Sequence, residues 1–154
     1  MTAEVVNGRL WVAGCDLTAL SDIYGTPLYI YDAATLDASV EAYASALRRH
    51  YPGPWEIAYA AKAFWCTAMA QWASSRGLGL DVVSGGELAI ALRAGFPPER
   101  IHFHGNYKTD ADLEMALEAD IGRVVLDHEG EVERLERLAA ARGIVLKVWL
   151  RISP

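Results

Sequence analysis

The sequence predicts an α/β fold built on parallel strands, and three observations predict it. Candidate strands at residues 56–61, 78–83, 101–104, 123–126 and 145–152 begin 22 or 23 residues apart. That interval holds one strand, a three-turn helix and two short loops. The strands are apolar and β-branched without clean alternation, as in a parallel sheet covered on both faces. Each intervening stretch carries its own helix start and stop signals. Together they read as consecutive right-handed βαβ crossovers.

The N-terminal third has a different rhythm. Residues 9–13 predict a short strand, and 17–24 a short helix capped by Asp16. Residues 28–31 predict a strand after Pro27. Asp32 then caps a long helix whose Leu36, Val40, Tyr43, Ala44 and Leu47 share a face. Tyr51-Pro52-Gly53-Pro54 ends it before the first βα unit.

Within the repeats, Ala68, Met69, Trp72 and Ala73 form the inward face of the first helix, which stops at Arg76-Gly77. Ser84 with Glu87 fits a capping box opening the second, through Leu88, Ala91 and Leu92 to Gly95. Thr109 and Asp112 open the third, with Leu113, Ala116 and Leu117 inward. Asp127 caps the fourth, with Val132, Leu135 and Leu138 buried and Gly143 at its end. The last strand has no helix after it. Five strands suit a flavodoxin-like open sheet or the first part of an eight-stranded barrel, which needs roughly 250 residues. The stop on an exposed parallel strand favours a partial (β/α)8 TIM-like barrel, its first five strands present.

Composition narrows the function. The chain has 154 residues, 53% of them hydrophobic, enough for one packed core. A net charge of −6 with scattered basic residues argues against nucleic acid or anionic lipid as a partner. Cys15 and Cys66 lack disulfide-scaffold or zinc spacing and read as structural thiols of a reducing cytoplasm. There is no signal-peptide pattern and no apolar run of membrane-spanning length. A soluble cytoplasmic protein is expected.

Four strand ends carry polar groups that a parallel sheet brings to one rim. They are Lys62; Asp81 with Ser84-Gly85-Gly86-Glu87; His104-Gly105-Asn106-Tyr107-Lys108; and Asp127-His128. Arg151 follows at the fifth. Lys62 closes its strand and opens into a helical pattern, where α/β folds place their ligands. Burial favours the neutral amine, which condenses with aldehydes; the plainer reading is a surface lysine with a packed stem. Asp81 is either the counter-charge and proton shuttle for that amine or a helix-entry carboxylate bonding backbone N–H groups. Ser84 and Glu87 fit capping better than catalysis. His102 and His104 point the same way along their strand, without an evident third metal ligand. His104 with Asn106 and Lys108 makes a strand-mouth cluster or a polar loop. Trp55, Phe64, Trp65 and Trp72 read as core or subunit contact.

Tyr59-Ala60-Ala61-Lys62-Ala63, the run from Gly77 to Leu88 and His104-Gly105-Asn106-Tyr107-Lys108 together resemble the diaminopimelate decarboxylase family, among the fold-type III pyridoxal-phosphate decarboxylases. The resemblance covers about residues 25–154, the N-terminal portion of such enzymes. It departs at Tyr107, where asparagine is common, and at His128, where serine is common. It implies that Lys62 holds pyridoxal 5′-phosphate as an imine. It further implies that Asp81, Ser84, Glu87 and His104 lie at the cofactor rim and Arg151 near the ring. Residues 1–32 would belong with a C-terminal β domain, and 33–154 would form an incomplete cofactor-binding barrel. The implied reaction is decarboxylation of meso-2,6-diaminopimelate to L-lysine and carbon dioxide, with a small amino acid as the partner, a homodimer as the assembly and no resident metal. The resemblance leaves open an ornithine or arginine decarboxylase and a non-catalytic pyridoxal-phosphate-binding barrel. The family's phosphate loop and substrate-choosing residues lie beyond the fifth strand, so the chain alone is expected to be inactive.

Overall fold

A computed structural model describes residues 2–152. The chain divides into two compact units, Met1–Ile57 and Ala58–Pro154.

In the first unit, Asn7 and Gly8 both take positive φ, 51° and 74°. Two successive left-handed residues make the tight turn whose twist suits a hairpin. It pairs β1 (Ala3–Val6) antiparallel with β2 (Arg9–Val12), Val6 opposite Arg9. Ala13-Gly14 repeats the device and adds β3 (Cys15–Asp16). The sequence reading had one strand here; the Asn7-Gly8 pair was the signal for the others. Asp16 caps α1 (Leu17–Tyr24), accepting the Thr18 N–H at 2.9 Å. The hydrogen bond from Arg9 holds that carboxyl below its usual range.

Residues 28–31 form no strand and pair with neither sheet. Their β-branched and aromatic content needs a partner ladder, and the register supplies none. Asp32 caps α2 (Ala33–His50) through the N–H groups of Ala34 at 3.0 Å and Thr35 at 3.3 Å. Its other oxygen accepts from Thr35 Oγ1, Thr2 N–H and Thr2 Oγ1. On α2 only Ala44 is buried, and Tyr43 of the expected inward face is exposed.

In the second unit, five parallel strands lie in chain order: β4 (Ala58–Ala60), β5 (Gly79–Val82), β6 (Ile101–Phe103), β7 (Arg123–Leu126) and β8 (Val148–Leu150). Between them run α3 (Thr67–Ser75), α4 (Gly85–Arg93), α5 (Asp110–Glu118) and α6 (Glu129–Arg142). This is the expected partial barrel-type sheet. β8 starts at Val148 rather than residue 145. Gly143 ends α6 at φ 65°, Ile144 N–H bonds back to the Ala139 carbonyl, and residues 144–147 return the chain.

As expected, burial does not alternate cleanly along the strands: β6 is buried throughout, and β7 is buried at Val124, Val125 and Leu126 in succession. Leu80, Val82, Ile101, Phe103, Val124 and Leu126 are buried, and the last two pack with Leu113, Leu117, Leu135 and Leu138 of the helices. The opposite face carries Asp81, His102, Arg123 and Trp149. The first face is apolar; the second mixes these groups with the buried Val125.

Three details of the helices also differ. α3 buries Met69, Ala70 and Ala73, while Ala68 is exposed and Trp72 half-buried. α6 is capped at His128, without a side-chain bond, rather than at Asp127. Its inward stripe runs through Glu131, Leu135 and Leu138, leaving Val132 exposed. α5 has the full box: Thr109 Oγ1 accepts the Asp112 N–H at 3.2 Å, and Asp112 accepts the Thr109 N–H at 2.9 Å. Burial would raise the Asp112 carboxyl, but bonds from Thr109 and from Gly85 N–H outweigh it and leave it low. Among the described residues no helix is long and apolar enough to cross a membrane.

Candidate active site

The parallel strands end together, and their carboxyl ends surround a cleft of about 890 Å³. Lys62, Asp81, His104, Asn106, Trp149 and Arg151 line it. Four of the six candidate residues, Lys62, Asp81, His104 and Arg151, therefore share one space. Ser84 and Glu87 stand outside that lining.

Lys62 lies in a single 3-10 turn, Ala61–Ala63, immediately after β4. Ala61 beside it is buried, but Lys62 itself is exposed. The sequence reading holds this amine out of water; in the structure it is exposed.

Asp81 sits in register with Ala60 and His102, its neighbours on β4 and β6. Its Oδ1 lies 3.2 Å from His102 Nδ1 and 3.4 Å from His104 Nε2. His102 is buried, its ring tilted against Trp149 with centroids 4.6 Å apart. The Arg123 guanidinium covers Trp149 at 4.8 Å. Both rings of the His-x-His pattern thus converge on one carboxylate oxygen, and among the described residues no ion pair joins Asp81 to Lys62.

Ser84 caps α4, its Oγ accepting the Glu87 N–H at 3.3 Å. Glu87 reaches one residue further back than a capping box requires, and its Oε2 accepts the Val83 N–H at 2.7 Å. Arg151 is mostly exposed, with Nη1 3.1 Å from Asp127 Oδ1.

The sequence reading missed a second polar group. Lys108 and Glu131 are both fully buried, with Lys108 Nζ 2.9 Å from Glu131 Oε1. Lys108 Nζ also donates to the Gly105 carbonyl and lies 3.7 Å from Asp127 Oδ2. Lys108 therefore belongs to an interior cluster, not to the strand mouth. A signal existed. Gly86-Glu87 and Gly130-Glu131 are 44 residues apart, two repeats, and both glutamates close the same loop.

The donor set fits pyridoxal 5′-phosphate at its reactive end: an exposed primary amine for an aldehyde, a fixed carboxylate and a guanidinium. A parallel sheet gathering a lysine and charged partners at its carboxyl ends defines an α/β cofactor-binding domain. Residues 37–154 match the family model described as pyridoxal-dependent decarboxylase, pyridoxal binding domain. The chain is 47% identical over 148 residues to the diaminopimelate decarboxylase of Bacillus subtilis, covering 96% of this chain and 34% of that protein. It is 46% identical over 147 residues to that of Mycobacterium leprae, covering 96% and 30%. The solved diaminopimelate decarboxylase of M. jannaschii in complex with L-lysine superposes with a TM-score of 0.91 at 33% identity, covering 97% of this chain and 35% of that one. The chain belongs to the pyridoxal-dependent decarboxylase family and matches its pyridoxal-binding domain. It spans about a third of the length of the curated relatives it matches.

Proposed function

We propose that this chain forms the first part of the cofactor-binding barrel of a decarboxylase that converts meso-2,6-diaminopimelate to L-lysine and carbon dioxide. One observation carries the reading: in a chain of this family, Lys62 shares a single strand-end cleft with Asp81, His104 and Arg151. The substrate comes from the relatives, which are diaminopimelate decarboxylases, one of them solved with L-lysine.

Bound in the cleft, pyridoxal 5′-phosphate supplies an aldehyde for a primary amine and a ring that takes up the electron pair left as carbon dioxide departs. Lys62 Nζ is the amine that would hold the cofactor and, when not bonded to it, would carry a proton to the substrate α-carbon. That proton replaces the carboxyl group. Asp81, fixed by His102 and His104, supplies negative charge that favours a protonated nitrogen beside it. Arg151 supplies positive charge for the anionic groups entering the cleft. Ser84 and Glu87 shape the rim by holding the strand-to-helix loop.

The proposal extends to the organisation of the protein. Residues 1–32 serve a second domain, and 33–154 belong to the barrel; the family match from residue 37 supports that division, while contacts group the chain to Ile57 with the first unit. The complete gene product is a cytoplasmic homodimer.

The test is Lys62→Ala in the complete gene product. The unaltered protein should be yellow, lose that colour on borohydride reduction and release carbon dioxide from diaminopimelate; Lys62→Ala should do none of these. Undiminished turnover by Lys62→Ala overturns the reading. Release from ornithine or arginine but not from diaminopimelate overturns the choice of substrate.

A further inference from the structure

Lys108 and Glu131 are 2% and 0% exposed, so both charges are out of water. Such a pair contributes little net stability, because desolvating two ions offsets most of their attraction, and apolar residues of like volume do as well or better. The pair therefore needs another reason.

Closing the loop before α6 is not that reason. Glu131 Oε2 accepts the Asp127 N–H at 2.9 Å, as Glu87 Oε2 accepts the Val83 N–H at 2.7 Å two repeats earlier. Glu87 performs this closure without a buried lysine, so Lys108 has a task beyond it.

From Lys108 the charges alternate outward. Its ammonium lies between Glu131 at 2.9 Å and Asp127 Oδ2 at 3.7 Å. The Asp127 side chain is 9% exposed, and its Oδ2 has no hydrogen-bond partner. The cation facing that oxygen is Lys108, at 3.7 Å. The other oxygen of Asp127 lies 3.1 Å from Nη1 of Arg151, whose side chain is 62% exposed and lines the cleft. A free arginine at such a place spreads over many rotamers, and an ordinary surface ion pair restrains it weakly. Here the acceptor is largely buried, its backbone N–H bonded to Glu131 and its second oxygen facing the buried Lys108 ammonium.

We infer that Lys108 and Glu131 are positioning residues that fix Asp127 and, through it, aim the Arg151 guanidinium into the cleft. This rests on the reading that the cleft takes pyridoxal 5′-phosphate.

The test is a mutant cycle in the complete protein, stripped of cofactor and titrated with pyridoxal 5′-phosphate, with the thermal midpoint recorded for each variant. Lys108→Met/Glu131→Gln removes both buried charges while keeping an acceptor for the Asp127 N–H. It should keep a near-unaltered midpoint and weaken cofactor binding about tenfold, as should Arg151→Gln, and combining them should weaken it no further than Arg151→Gln alone. Losses that multiply to about a hundredfold, or a paired variant with unaltered affinity, overturn the inference. Should the paired variant not fold, Glu131→Gln alone is measured against Arg151→Gln in the same way, with the same two outcomes deciding. Wild-type protein that binds no cofactor through Lys62 overturns the underlying reading and this inference with it. A Lys62 adduct with multiplicative losses overturns the inference alone.

Discussion

Gly85 and Gly122 each sit where an added Cβ would come within 2.2 Å of an oxygen, yet the two substitutions should differ widely. At Gly122 the obstacle is the Glu99 carbonyl oxygen, with the Glu99 carbon at 2.9 Å and the Ile101 carbonyl at 3.1 Å behind it. These are backbone atoms leading into β6, and Gly122 N–H also donates to the Pro98 carbonyl at 2.9 Å. Gly122→Ala must part the chain there, at about 1–3 kcal/mol for overpacking and about 1 kcal/mol for the bond at risk. The lower entropy of the unfolded alanine chain returns about 0.5 kcal/mol, leaving a net loss of about 1.5–3.5 kcal/mol.

At Gly85 the obstacle is Asp112 Oδ1, the end of a side chain. Gly85→Ala sacrifices the Gly85 N–H bond to that oxygen, about 1 kcal/mol, and gains a comparable amount from alanine at a helix start. The net change is close to zero unless Asp112 also leaves Thr109, which would add about 1 kcal/mol. Thermal unfolding of the two variants in the complete protein should place Gly122→Ala below Gly85→Ala by a few degrees. Equal midpoints, or the reverse order, would refute the reasoning that a neighbour's freedom to move sets the cost.

Acid should loosen the first unit through Asp32, whose carboxyl is held well below the usual range by Thr35 Oγ1 and then by Thr2. A depressed folded pKa means the contribution is complete above the unfolded value of 3.8 and is lost as pH falls through the folded value. Thermal midpoints at neutral pH and at about pH 3 should therefore drop less in Asp32→Asn than in wild type, and parallel drops would sink the assignment. Glu87→Gln keeps an acceptor for the Val83 N–H and should match wild type in stability and cofactor affinity. Glu87→Ala strands that N–H and should cost about 1–3 kcal/mol in denaturant unfolding. A stable Glu87→Gln that no longer takes up pyridoxal 5′-phosphate would place the carboxylate on the cofactor instead.

The βα beat was legible because a buried parallel strand and its covering helix each impose a local pattern, and the caps Asp16, Asp32, Ser84 and Thr109 act within a few residues. The Asn7-Gly8 hairpin is equally local, but only Val5 and Val6 give its first strand, Ala3–Val6, a β-branched signal. Residues 28–31 failed for the opposite reason, since strand propensity needs a partner that only the assembled sheet can offer.

The candidate site divides along the same line. Lys62, His104 and Arg151 each follow a strand and Asp81 is one residue from the end of its own, and strand ends of a parallel sheet gather at one rim whatever the loops do. Periodicity and residue type therefore sufficed to nominate them, together with the order of elements around them. Which charges lie in water was a different matter. The chain order does not tell that Lys62 stands exposed while Lys108 is sealed against Glu131, 23 residues away. Nor does it tell that His102 and His104 converge on one oxygen of Asp81 from the neighbouring strand. Burial and ion pairing are sums over everything within a few ångströms, and those neighbours come from distant parts of the chain; local patterns persist along it, but electrostatic environments exist only once it has folded.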